Sequence, residues 1–499
     1  MTQIFGGIKM KRTRKLLAVF LAAVFVAAAL PVSAEGEKGT SFSVSLGRYY
    51  SANTSSLQLS EKSGLGKYLV ENVEKCVPRL DISSYNVDSS ELKNILVFLT
   101  ENPKLFNLQK ELNGQSWSSN TIATLDFSYN PDFSTVSKYK AALDKCEKYA
   151  AKLTTGLNGL SDVEKALVLH DKIAVMSSYC TDNGNDSGHK NCNPNIYNIY
   201  GLLVDHNAVC EGYALTYKYL LDKVGISSRL NPSEYMTHVW NIVKINNKEY
   251  HVDVTWDDPV FAYQSAVYDY AGNVSHKYFL VNTEKLISDG KHGPFYDSEN
   301  KYLGYDFDRT PFDSGFNNGY WSSVNSQIIY LGGSFYYIDG GSLMKMTDNV
   351  RSVVTGADLS ELWYAGVNSY WQGNYSKIAD DGISIYYSTP TKVYRYNTES
   401  NTAKVIYNYN SENYSGIKGI KLLDNTLICQ TARTPSIAPE TSDNAVIDVG
   451  DANGDGQTNI LDFIKLKKLL AEKSTQSING IGVPETSDLV WIKRLLLAG

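Results

Sequence analysis

Two adjacent asparagines, Asn246 and Asn247, do most to restrict how this chain can fold. They separate a pair of β-prone runs, His238 to Ile245 and Glu249 to Thr255. Asparagine tolerates the positive φ that a tight two-residue hairpin turn requires at both central positions. The turn also sets the register, because a slip of one residue would carry every side chain to the opposite face of the sheet. Ile245 then faces Lys248, and Trp240 faces Asp253. His238 lies one diagonal step from Asp253 on the same face, about 7–8 Å away at Cα, which long side chains can bridge. The hairpin alone therefore places a carboxylate where it can orient an imidazole.

A third chemical group stands upstream. Cys210 opens an amphipathic helix read over Val209 to Val224, which ends at Gly225. A thiol at a helix N-terminus meets the positive end of the helix dipole, and the thiolate is favoured there. Docking that helix start against the hairpin face would assemble Cys210, His238 and Asp253 into a nucleophile, a base and an orienting acid. His251 shares the strand face of Asp253 but lacks the Trp-Asn that follows His238, and it is read as structural. Trp240 and Trp256 are read as walls of the site, and His170 and Asp171 as support for the core.

The segment from about 160 to 280 resembles the transglutaminase-like superfamily, relatives of papain in fold. The matching residues are Leu169-His170-Asp171, Tyr200-Gly201 with Leu203, and Ala208-Val209-Cys210-Glu211-Gly212-Tyr213-Ala214. His238-Val239-Trp240-Asn241 and Tyr250-His251-Val252-Asp253-Val254-Thr255-Trp256 follow in the expected order. The resemblance implies that Cys210 is the nucleophile, His238 the general base and acid, and Asp253 the orienting carboxylate. It also implies an oxyanion held by the backbone N–H of the nucleophile and by an upstream donor, for which Tyr200 is the position named.

The rest of the 499 residues divides around this segment. Lys9 to Lys15 is basic, Leu16 to Leu30 is an unbroken apolar run, and Val32-Ser33-Ala34 has the small-x-small form of a cleavage site. Residues 1–34 thus read as a signal peptide, with a secreted, extracellular product that is not membrane-bound after cleavage. Losing that segment's five basic residues leaves 42 against 53 acidic ones, a balance of −11 with no basic tract, which argues against nucleic acid. Residues 35–155 read as mostly helical and 156–300 as the catalytic domain, whose helix at Ser161 starts with a capping box completed by Glu164. Cys180 and Cys192 bracket a polar loop and are the pair best placed for a disulfide. Residues 301–432 hold short β-prone runs and 16 of the 36 tyrosines, more simply read as packing between sheets than as a binding surface. A Pro- and Thr-containing linker, 433–446, leads to a tail at 447–499 that is read as a small separate α-helical unit with an internal repeat. The fold class expected is α+β.

Asp451 to Asp462 forms a 12-residue calcium loop. Asp451, Asn453, Asp455, Asn459 and Asp462 supply side-chain oxygens, Gln457 its carbonyl, and Gly456 the turn at position six. Twenty-six residues on, Asp488 to Leu496 echoes Asp462 to Leu470. In that second copy Ser477 and Ile481 stand where the first has Asp451 and Asp455, so calcium should bind it far more weakly or not at all. The duplication resembles a dockerin, the module that docks enzymes onto cohesins of a scaffoldin in cellulosomes. The resemblance implies cohesin contacts from Ile460, Leu461, Lys467 and Lys468, with Thr486, Ser487, Lys493 and Arg494 in the second copy.

Together these readings predict a secreted, cellulosome-attached cysteine enzyme acting on peptide or glutamine-type amides through a thioester. Calcium belongs to the tail and no cofactor to the chemistry. Hydrolysis, as a peptidase, is the reading preferred, because water is the default acceptor in an open cleft. A protein cross-linking transglutaminase and a non-enzymatic binding or structural component are the alternatives. A glycosidase would need two facing carboxylates, and no motif nominates them.

Overall fold

Ser161 accepts a hydrogen bond from the Glu164 backbone while the Glu164 carboxylate accepts one from the Ser161 backbone, so the helix Asp162–Met176 begins where its capping box dictates. In the computed structural model this helix lies at the centre of a mixed helix-and-sheet molecule. The described residues are 40–498, apart from 46–58, 63, 118–119, 182–191, 264–265, 270, 363–374, 411–415 and 433–444. Residues 1–34, read above as a signal peptide, and most of the 433–446 linker therefore lie outside them. Among the described residues no helix is long and apolar enough to cross a membrane.

The central helix packs with the helix Cys210–Lys223 around a core that includes Leu167, Leu169, Tyr213, Tyr217 and Val243. The Cys210 helix lies against a three-stranded antiparallel sheet, Ser228–Ser233, His238–Ile245 and Lys248–Val252, with the His238 strand in the middle. Ile245 pairs with Lys248 and Asn241 with Val252, and Asn246 and Asn247 take φ of 50° and 63°. That is the register and the turn the sequence specifies. The second strand is shorter than expected, however. It stops at Val252 because Asp253 caps a helical turn, Val254–Asp257, by accepting from the Trp256 N–H. Cys180 and Cys192 form a disulfide.

The N-terminal region holds the expected helices Leu92–Thr100 and Val136–Thr154, and adds a sheet that the mostly helical expectation left out. It is a four-stranded sheet, ordered Thr40–Ser45, Leu108–Ser116, Ile122–Tyr129 and Arg79–Asp81, packed on the helices Gly64–Glu74 and Leu92–Thr100. Bulges between Leu108 and Leu112 and between Gln115 and Ser116 break the two-residue period that would have announced these strands.

Beyond residue 300 the chain forms successive antiparallel meanders: four strands over 329–353, four over 378–408 and three over 416–448. Tyr336, Tyr386 and Tyr387 are fully buried and pack between sheets, while Tyr337, equally buried, joins the core around the central helices. The tail is not a free-standing unit. Leu466, Ile481, Trp491 and Ile492 share one apolar core with Ile420, Leu427 and Ile447 of the last meander.

Candidate active site

Val209, extended at φ −110°, precedes the Cys210 helix without capping it by a side chain. Gly212 lets the first turn come close to its neighbour. A Cβ there would stand 2.4 Å from the Ile196 carbonyl oxygen. Across the helix, the Asn241 side chain donates to the Ala214 carbonyl at 3.0 Å and ties the His238 strand to the Cys210 helix.

His238 Nε2 donates to Asp253 Oδ2 at 2.8 Å, and His238 is also hydrogen-bonded to Cys210. With Nε2 turned to the carboxylate, Nδ1 is the ring nitrogen left for the sulfur. The structure therefore brings Cys210, His238 and Asp253 together. Burial works against a charge on His238, but Asp253 and then Cys210 outweigh it and raise the imidazole to about 10. Burial likewise opposes the Asp253 carboxylate, yet His238 and His292 hold it well below the usual range. The group is closed from solvent, with Cys210 1% and His238 5% exposed. The Trp240 ring stacks beside His238 at 5.7 Å between centroids and Trp256 lies at the same distance, so both tryptophans wall the site.

His251 takes no part. Trp240 Nε1 donates to its Nδ1 at 3.1 Å, its Nε2 contacts Thr283 Oγ1 at 2.9 Å, and burial lowers it to about 3. Tyr200, the position named for an upstream oxyanion donor, lies in the short helix Ile199–Leu203. Asn198 caps its short helix and takes the Tyr200 N–H at 2.9 Å, which turns the ring onto Phe133 and Phe106 and its hydroxyl toward Lys145. The residue that sequence reasoning missed is His292, whose Nε2 lies 3.0 Å from Asp253 Oδ2. It stands 39 residues beyond Asp253 in Lys291-His292-Gly293-Pro294, where no period or motif marks it.

His170 and Asp171 do support the core, within a wider buried network. His170 Nδ1 donates to Asp171 at 2.8 Å and its Nε2 faces Asp257 at 3.3 Å. His276 donates to Asp171 at 2.9 Å and to the Val324 carbonyl at 2.9 Å, and the Ile328 N–H donates to Asp171 at 2.6 Å. Burial opposes a charged His170, but Asp171 and Asp257 raise it to about 9. His170, Asp171 and His276 stand close enough to share a cation, as do His238, Asp253 and His292. In both clusters, though, the ring nitrogens that face inward are already bonded to carboxylates.

In the tail, Asp451 accepts from Gly454 and Gly456 N–H groups, and Asp462 accepts from Ala452 and Asn459. The loop winds around these two acids, and burial, with Asp451 also contributing, raises the Asp462 carboxyl. An all-oxygen set with crowded carboxylates fits a hard divalent cation. Ile460, Leu461, Lys467 and Lys468 are exposed, as are Thr486, Ser487, Lys493 and Arg494, the last also paired with Glu399. The second copy differs at its centre. Asp488 is buried against the Arg395 guanidinium and, at 2.6 Å, the Lys404 ammonium, and Ile481 lies in the apolar core.

No family model matches the chain, and no curated protein does. Among solved structures the chain is similar to one described as "Crystal structure of a TGase", at 14% identity and a TM-score of 0.21, over 42% of this chain and 57% of that one, so that it spans little more than half of that structure's length.

Proposed function

We propose that the chain is a transglutaminase-like cysteine acyl-transfer enzyme that cleaves peptide or glutamine-type amides. The observation that carries the reading is a single imidazole bonded to both a helix-start thiol and a buried carboxylate. Cys210 Sγ, its proton already held by His238, attacks the amide carbonyl. The oxyanion faces the N–H groups at the start of the Cys210 helix. The C–N bond then breaks as His238 returns the proton to the leaving amine, and a thioester remains. Water, deprotonated by His238, resolves it. An amine in place of water would make the same site a cross-linking enzyme.

Secretion and attachment to a scaffoldin cohesin belong to the proposal, on the strength of the export segment and the calcium repeat. Calcium would be held by Asp451, Asn453, Asp455, Gln457, Asn459 and Asp462 and would fix the loop that carries Ile460 and Leu461. The closed state of Cys210 favours a second reading, a non-enzymatic binding or structural component. A thiol-reactive peptide probe followed by mass mapping separates the two. The enzyme reading expects the adduct on Cys210 and no turnover in Cys210→Ala with the fold intact. Labelling of Cys76 alone would favour the second.

A further inference from the structure

We infer that His292 is a positioning residue of the same site, holding Asp253 so that the carboxylate can orient His238. The inference rests on the reading of Cys210, His238 and Asp253 as the reacting groups. His292 is fully buried, and its Nε2 approaches the same Asp253 oxygen that His238 engages, at 3.0 Å against 2.8 Å. An ionised carboxylate only accepts, so both Nε2 atoms carry hydrogen. The third bond comes from the Trp256 N–H to the other oxygen, at 3.1 Å. Asp253 is thereby gripped from three directions, and its plane cannot turn away from His238.

The partners of the other buried histidines make the role specific. His170, His251 and His276 each engage both ring nitrogens, as core histidines do. His292 has one polar contact, Asp253, and its Nδ1 is buried without a hydrogen-bond partner among the described residues. The ring is otherwise held by aromatic faces, Trp256 at 4.3 Å, Tyr278 at 4.9 Å and Trp240 at 5.4 Å between centroids. A cage of this kind fixes the imidazole while leaving its one anchored N–H directed at the carboxylate. The second donor also disperses the Asp253 charge, so the shared proton stays on His238 Nε2 and the acid orients rather than titrates.

The test is the rate at which iodoacetamide alkylates each cysteine of the full-length protein, followed by mass spectrometry. Cys146 and Cys429, both fully buried in the core, report any loss of fold. In the native chain Cys210 should react fastest. His292→Leu should slow Cys210 by about ten-fold or more, as a misplaced orienting group does, with Cys146 and Cys429 still protected. His292→Gln, which keeps an N–H at similar reach, should restore most of the rate. An unchanged Cys210 rate in a folded His292→Leu protein would overturn the inference. Should that variant expose Cys146 and Cys429, His292→Phe fills the cage without an N–H and takes its place. The native imidazole signals, read by nitrogen NMR, need no variant: His292 must show the Nε2–H tautomer, and the Nδ1–H tautomer would overturn the inference. If Cys210 reacts no faster than Cys76 in the native chain, the parent reading fails instead.

Discussion

At the scale of single residues, the site is governed by how Asp253 is held. It is buried, carries charge, and accepts from His238, His292 and the Trp256 N–H. Asp253→Asn would keep the shape but present an amide N–H to at least one of these donors. We expect turnover to fall by roughly two to four orders of magnitude without vanishing, because the nucleophile and the helix-start N–H groups remain. Full activity in a steady-state assay of that variant would show that a different carboxylate serves His238. Buried charge also sets a pH dependence of stability. His238 and His170 are raised in the folded chain to about 10 and about 9 from an ordinary 6.5. A raised basic group stabilises the fold fully below its ordinary value and loses that contribution as pH rises through the folded one. The melting temperature should therefore decline between about pH 7 and pH 10. The Asp253 carboxyl, held low, has the opposite sign and weakens the fold only as pH falls below its usual range. In Asp171→Asn, which removes one of the two partners that raise His170, some of the alkaline decline should disappear, and an identical melting profile would show that this network does not titrate there.

At the scale of elements, the hairpin was legible because everything that sets it is local. Two asparagines at positive φ and a two-residue period fix the register, and with it the approach of His238 to Asp253. The Ser161 capping box was legible for the same reason. What was hidden depends on residues far apart in sequence. His292 reaches Asp253 only because the chain returns after the hairpin, and the bulged N-terminal strands lack a readable period. The surroundings of Tyr200 were hidden too, because the Asn198 cap sets the orientation of its short helix, and residue identity alone does not reveal which way the ring then turns. Gly212 lies between the two cases, since its identity is visible but its reason is the Ile196 carbonyl at the helix start. Gly212→Ala has favourable helix propensity, yet its Cβ would push that turn away from Ile196. We expect a loss of about 1–3 kcal/mol in denaturant unfolding together with a lower Cys210 alkylation rate. A more stable and equally reactive variant would mean that the helix start can shift without cost to the site.

At the scale of the whole molecule, the tail is joined to the β region through its second repeat, and the unequal loops explain how. In the first loop Asp451 and Asp462 accept from backbone N–H groups of the loop itself. In the second, the residue equivalent to Asp462 is Asp488, and Arg395 and Lys404 of the neighbouring strands already neutralise it. The Arg395 guanidinium also lies 3.8 Å over the Trp491 ring, and Trp491 Nε1 donates to Asp381 at 2.9 Å. A protein cation thus stands at the second loop where calcium would stand at the first. Calcium titration of the full chain should therefore give one tight site, removed by Asp451→Ala with Asp455→Ala and untouched by Ser477→Ala. Arg395→Gln should leave Asp488 buried with one cation fewer, destabilising the tail by about 3–5 kcal/mol without adding a second strong calcium site, because Ser477 and Ile481 still supply no carboxylate. Hydrogen exchange should locate that loss in residues 474–498 and in the strands beneath them, with the Cys210 helix unaffected. Two equivalent calcium sites in the native chain, or a tail whose exchange ignores Arg395, would show that the second repeat is not held by the β region.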